Sequence, residues 1–171
     1  QSKQPVIVAG GGVNWSLAAD QVMQLAELTG AAIVTSYGRA DAVPNDHPQF
    51  LGHLGRLGAD EAISAIQQSD LIIAAGTRLG QSTTFYDNRF IPEEAKIIQI
   101  EIDPKELGRN YPITVGIEGD VKSVLEDILE GLQGSGELNL DWKTTVLSQH
   151  VARNTRLDTE LTIDSYPMKP Q

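Results

Sequence analysis

Five short segments of this sequence carry residue types suited to holding a diphosphate and a ribose. Gly10-Gly11-Gly12 follows an apolar run, and its missing side chains would let a phosphate approach the main chain. Gly52-His53-Leu54-Gly55, continuing to Gly58, is glycine-rich and leads into a helical pattern whose first N–H groups and dipole suit an anion. In Gly76-Thr77-Arg78 the glycine opens the backbone and the arginine offers a planar guanidinium to phosphate. Glu101 lies near the end of the run KIIQIEI, where a carboxylate can accept both hydroxyls of a ribose. Asp120 opens another helical pattern, as an N-cap or against an adenine edge. Each also has an ordinary reading: a strand-to-helix turn, a surface loop, a solvated arginine, a surface carboxylate and a plain cap. Taken singly the ordinary reading holds the edge, most clearly for Asp120. Four such features beside the glycine triplet, at one edge of a fold, favour a site.

The elements that must position them alternate along the chain. PVIVA (residues 5–9) reads as a strand buried on both faces, and Leu17, Val22, Leu25 and Leu28 form a helical stripe that Asn14 or Ser16 can cap and Gly30 can end. AAIVT (residues 31–35), LIIAA (71–75), KIIQIEI (96–102) and residues 113–117 read as further strands, with helices over 59–68 and 120–132. That alternation predicts an α/β fold: a doubly wound, mainly parallel sheet with helices on both faces, Rossmann-like. Two irregular stretches, residues 36–58 and 76–94, start at the carboxyl ends of strands, the edge where open α/β sheets take ligands. Gln133-Gly134-Ser135-Gly136 reads as a break. Residues 1–133 are expected to form the nucleotide-binding-type domain. Residues 134–171 are expected to be a weakly packed or swapped linker, with a helix over 142–154 and an extended, Pro-containing exit.

Several chemistries are disfavoured. With 13 Lys and Arg against 23 Asp and Glu, the net charge of -10 repels phosphate backbones and anionic lipids, so neither nucleic acid nor membrane is an expected partner. No apolar stretch reaches the ~20 residues that span a bilayer, and a cytoplasmic protein is expected. The chain has no cysteine, and His47, His53 and His150 are too scattered for a local metal motif, so neither a catalytic nor a metal site is assigned. Trp15 stands where the dinucleotide fingerprint needs its third glycine, where its bulk would prevent close helix–strand approach. Ser36-Tyr37 replaces the acidic residue that grips an NAD ribose. An ordinary NAD-dependent dehydrogenase is therefore disfavoured.

The ordered series PVIVAGGGV, LGHLGRLGADEAI, SDLIIAAGTRLG, AKIIQIEIDPKELGRN and ITVGIEGDV resembles the central domain of thiamine-diphosphate-dependent enzymes of the acetolactate synthase, pyruvate oxidase, oxalyl-CoA decarboxylase and sulfoacetaldehyde acetyltransferase class. The resemblance covers residues 5–132 and is most specific at Ile100-Glu101-Ile102-Asp103-Pro104, with Gly108 and Asn110 following, and at Gly119-Asp120-Val121. It implies a parent, homodimeric or homotetrameric, whose other domains supply an activating glutamate and the site for thiamine diphosphate and Mg²⁺. The missing N- and C-terminal domains of the same polypeptide are then the expected partners, and the isolated chain is expected to be inactive. The final Lys169-Pro170-Gln171 resembles the start of the third domain. For the central domain the resemblance implies FAD, ADP or no ligand, with cofactor-binding positions at Gly11, Gly12, Gly52, His53, Leu54, Gly55, Gly76, Thr77, Arg78, Glu101, Ile102, Asp120 and Val121. Two departures fall on the flavin half. Gly52-His53-Leu54-Gly55 stands where acetolactate synthases carry G-M-H-G, and Leu79-Gly80-Gln81-Ser82 where they continue F-D-D-R. The alternative is a free-standing module that binds ADP or FAD without catalysis.

Overall fold

In the computed structural model, which describes residues 2–132 and 140–162, the apolar runs assemble into one six-stranded sheet. The strands are β1 (Pro5–Ala9), β2 (Ala32–Thr35), β3 (Phe50–His53), β4 (Leu71–Ala75), β5 (Lys96–Glu101) and β6 (Val115–Glu118). Their order is β3-β2-β1-β4-β5-β6 and every pair is parallel. This is the doubly wound arrangement expected from the alternation, with its switch point between β1 and β4.

The period-2 geometry of the strands sorts their side chains to two cores. Ile7, Ala9, Ile33, Ile73, Ala75 and Ile100 point to one face, against Val22, Leu25 and Ala26 of α2 (Ala19–Thr29) and Val121 and Leu125 of α5 (Val121–Gly131). Val6, Val8, Ala32, Val34, Ile72 and Ala74 point to the other, against Ala62, Ala65 and Ile66 of α3 (Asp60–Gln68). Both faces are covered, which is why the central strands are apolar at every position rather than at alternate ones.

Three local expectations are corrected. The stretch 36–58 is not wholly irregular: β3 forms within it, although Phe50-Leu51-Gly52-His53 has no β-branched residue and a glycine at φ +109°. Its bulged pairing with β2 and burial under α3 outweigh that weak local preference. The first helix is also split. α1 (Gly11–Ser16) starts in the glycine triplet itself and stops at left-handed Leu17, and α2 then runs to Gly30, which ends it at φ +73° as expected. Neither Asn14 nor Ser16 caps a start; Ser16 Oγ instead donates back to the Gly12 carbonyl at 2.6 Å.

The largest correction concerns the tail. Within it, α6 (Leu140–Thr162) packs on the second core, with Trp142 only 3% exposed and Val146 fully buried. Trp142 Nε1 donates to the Pro5 carbonyl at 3.0 Å, satisfying its one polar atom. Buried His150 donates through Nδ1 to the Phe50 carbonyl at 2.8 Å, while its Nε2 accepts from Asn154 at 2.9 Å. Arg153 lies over the Phe50 ring, and Arg156 pairs with Glu61 of α3 at 2.8 Å. The weak packing expected here does not hold over the described part, because Trp142 and Val146 join the core that Leu51 of β3 and Ala62, Ala65 and Ile66 of α3 form. The break at 133–136, the Pro-containing exit and Lys169-Pro170-Gln171 lie outside the described residues.

At the other end of the sheet, Asp70 ties down the chain's start. Its carboxylate accepts from Lys3 N at 2.7 Å, Gln4 N at 2.9 Å and Ser2 Oγ. Burial pushes the Asp70 carboxyl up, but these hydrogen bonds together outweigh it and hold the pKa below the ordinary carboxylate range. The folded pKa lies below the unfolded value of about 3.9, so the contribution is present at neutral pH and lost as pH falls through the folded value. Asp70→Asn is expected to lower thermal stability at pH 7, with the gap to the unsubstituted chain closing as pH falls below the ordinary carboxylate range and through the lowered folded value. A gap that stays constant with pH would remove the linkage.

Candidate functional site

The site lies where three strand ends are stitched together. Gly10 N donates to the Ala75 carbonyl at 2.9 Å, Gly12 N to the Gly76 carbonyl at 3.0 Å, and Gly76 N to the Ile100 carbonyl at 3.0 Å. The contact between β1's loop and β4's loop is so close that a Cβ on Gly12 would stand 2.6 Å from the Gly76 Cα. Gly76 also sits at φ +59°, where side chains are strained. This is the close approach that the dinucleotide pattern assigns to its third glycine. Here it is made by Gly12 and Gly76, and Trp15 obstructs nothing: it is 88% exposed.

Above this crossing opens a cleft of about 610 Å³. Nine of the sequence-predicted positions line it: Gly11, Gly12, Gly76, Thr77, Arg78, Glu101, Ile102, Asp120 and Val121. They come from the ends of β1, β4 and β5 and the start of α5, which is the carboxyl edge that the alternation pointed to.

Glu101 is 7% exposed at the end of β5. Its Oε1 accepts from Ile102 N at 3.1 Å and Asp103 N at 3.4 Å, so the chain's own turn fixes the carboxylate. Among the described residues Oε2 accepts no hydrogen bond. Asp120 caps α5 by accepting from Ser123 N at 3.2 Å, the ordinary role weighed for it, while also lining the cleft. Thr77 is buried, with Oγ1 near Leu79 N at 3.4 Å. Arg78, its side chain 59% exposed, has Nε 3.5 Å from Glu106 Oε2.

The glycine-rich loop from Gly52 to Gly58, expected to seat an anion beside the other segments, does not border this cleft. None of Gly52, His53, Leu54 and Gly55 lines it. The loop's donors are spent on its own fold: Leu54 N on the Thr35 carbonyl, Gly58 N on Gly55 and Ala59 N on His53, at 2.8, 2.9 and 3.0 Å. Leu54 is buried in the second core, Gly55 is held against the Ser82 backbone, and Gly52 against Ala59. Its glycines serve close packing. His53 borders a separate open depression with Tyr37, Gly38, Ala40 and Asp41.

Sequence reasoning missed Arg39, whose guanidinium lies over Gly11 and lines the cleft. Its signal was available: a cation four residues beyond the end of β2, at the same carboxyl edge. Trp15, Ser16, Gly80 and Gly119 complete the lining. The site thus pairs two guanidinium groups with two carboxylates, an arrangement able to meet a phosphate and hydroxyls together. Among the described residues no group of three or more His, Cys, Asp or Glu could hold a metal ion, and no helix is long and apolar enough to cross a membrane.

The family described as thiamine pyrophosphate enzyme, central domain, matches residues 1–128. An acetolactate synthase of Mycobacterium avium is 43% identical over 135 residues, covering 79% of this chain and 22% of that protein. A probable acetolactate synthase large subunit of Methanocaldococcus jannaschii is 37% identical over 171 residues, which is 100% of this chain and 28% of its own length. A sulfoacetaldehyde acetyltransferase of Alcaligenes xylosoxydans xylosoxydans is 44% identical over 129 residues, 74% of this chain and 21% of that enzyme. The chain therefore spans less than a third of the length of these relatives. With a parallel sheet of this order, a cleft at its switch point and a family match over three quarters of its residues, the chain belongs to the central-domain family of thiamine pyrophosphate enzymes.

Proposed function

We propose that the chain is the adenine-nucleotide-binding central part of a thiamine-diphosphate-dependent carboligase, acyltransferase or decarboxylase, and that its cleft takes ADP or the ADP half of FAD. The observation that carries this is Glu101: a nearly buried carboxylate at a cleft wall, oriented by two backbone N–H groups through one oxygen, with the other left to accept ribose hydroxyls. Arg39 and Arg78 supply the positive charge a diphosphate needs in an otherwise acidic chain. Thiamine diphosphate supplies a stabilised carbanion in such enzymes. Among the described residues no group of three or more acidic or imidazole side chains gathers to hold the Mg²⁺ that anchors its diphosphate, so we assign that cofactor and its activation to other parts of a longer, homodimeric or homotetrameric parent.

Two features favour ADP over flavin. The loop of Gly52 to Gly55 and the short helix α4 (Gln81–Thr84) are closed against each other, with Gly55 on the Ser82 backbone and Tyr37 N donating to Thr83 Oγ1 at 3.2 Å. The segment following Arg78 is Leu79-Gly80-Gln81-Ser82, without the acidic and basic side chains of F-D-D-R. Calorimetric titration is expected to give ADP a Kd on the order of 10–100 μM and flavin mononucleotide no measurable binding. Equal affinities would put the site elsewhere. The chain alone is expected to give no turnover of pyruvate with thiamine diphosphate and Mg²⁺, and turnover would contradict the division of roles.

A further inference from the structure

Residues 99–110, which include the turn Ile100 to Pro104, contribute only Glu101 and Ile102 to the cleft, yet three of their side chains converge on Thr77 and Arg78. Gln99, buried in β5, donates through Nε2 to the carbonyls of Thr77 and Glu106, each at 3.3 Å, and accepts from Gly108 N at 2.9 Å. Asn110 Nδ2 donates to the Arg78 carbonyl at 2.7 Å. Glu106, in the 3-10 turn Pro104–Glu106, is 8% exposed; Oε1 accepts from Arg109 Nη1 at 2.6 Å and Oε2 faces Arg78 Nε at 3.5 Å. Backbone and side chain of Arg78 are thus held from one side by one segment.

Resting on the nucleotide reading, we propose that Glu106 is a positioning residue, with Asn110 beside it, that aims Arg78 at the diphosphate. The ion pair is made through Nε, near the stem. Among the described residues the two terminal nitrogens donate no hydrogen bond, so the end of the fork that matches a phosphate is kept available. An arginine this exposed would otherwise sample many rotamers and lose that freedom on binding. Arg109, on the far oxygen, keeps the Glu106 carboxylate turned so that Oε2 meets Arg78.

The test is a double-mutant cycle on the full chain with ADP as probe. Glu106→Gln and Asn110→Ala are each expected to weaken ADP about three- to tenfold, with little added loss when either is combined with Arg78→Ala. The Arg78 Nε–H resonance should also shift in Glu106→Gln before any nucleotide is added. Asn110 is at the surface, so its variant keeps the test open if Glu106→Gln folds poorly. A loss that persists undiminished in the Arg78→Ala background would mean the segment acts on the fold and would overturn the proposal. ADP binding that responds to Glu101→Ala but to neither Glu106→Gln nor Asn110→Ala would overturn it while leaving the nucleotide reading intact. No ADP binding, or binding indifferent to Glu101→Ala, would overturn both.

Discussion

Replacing Glu101 with alanine is expected to weaken ADP binding roughly 30-fold, from the loss of about 2 kcal/mol of hydrogen bonding to a charged acceptor. The carboxylate is already desolvated and oriented by Ile102 N and Asp103 N, so little ordering remains to be done when a ribose arrives. Removing it takes away both ribose contacts and strands two N–H groups at the end of β5. Glu101→Gln separates these effects: its carbonyl can still accept from the turn, while its amide presents a donor where an acceptor is needed. Glutamine is therefore expected to restore stability without restoring affinity. Titration of both variants, with thermal unfolding as the control, reads the two contributions separately, and an ADP affinity unchanged in Glu101→Ala would remove the ribose role.

The second large effect is on stability. Trp142→Ala is expected to cost about 3–5 kcal/mol, the range for emptying an aromatic site in a packed core. Trp142 lies with Val6, Val8, Ile72 and Val146 in the second core, and its indole N–H satisfies the Pro5 carbonyl at the start of β1. Loss of the ring would leave a cavity and an unpaired carbonyl together. The same packing implies that amides of α6 near Trp142 and Val146 exchange almost as slowly as those of β4. Denaturant unfolding and hydrogen exchange both test this. A loss under 1 kcal/mol with fast exchange in α6 would return the segment to the loosely tethered linker that its sequence suggests.

Much of the fold was written locally. PVIVA, AAIV and LIIAA are apolar at successive positions, a pattern that suits strands of a doubly covered parallel sheet, and Asp120 and Gly30 mark helix ends by chemistry that acts within a few residues. Strand ends also bring their following residues to one edge by necessity, so Gly11, Gly76, Arg78 and Glu101 could be grouped from order alone. What the sequence could not decide were contacts between segments distant along the chain. β3 exists because β2 and α3 enclose it. Whether the glycines at 52 and 55 cradle a phosphate or pack on Ala59 and Ser82 depends on what lies opposite, and a missing side chain serves both purposes equally. Trp15 shows the same ambiguity in reverse: its position in the pattern predicted a clash, but the side chain is exposed at the cleft, and the close approach is made by Gly12 and Gly76. Arg39 and α6 are of this kind too. Local chemistry determined the elements and the edge of the sheet where they meet; which loops face the cleft, and what covers β3, were decided only by tertiary packing, because burial rewards contacts without regard to their separation along the chain.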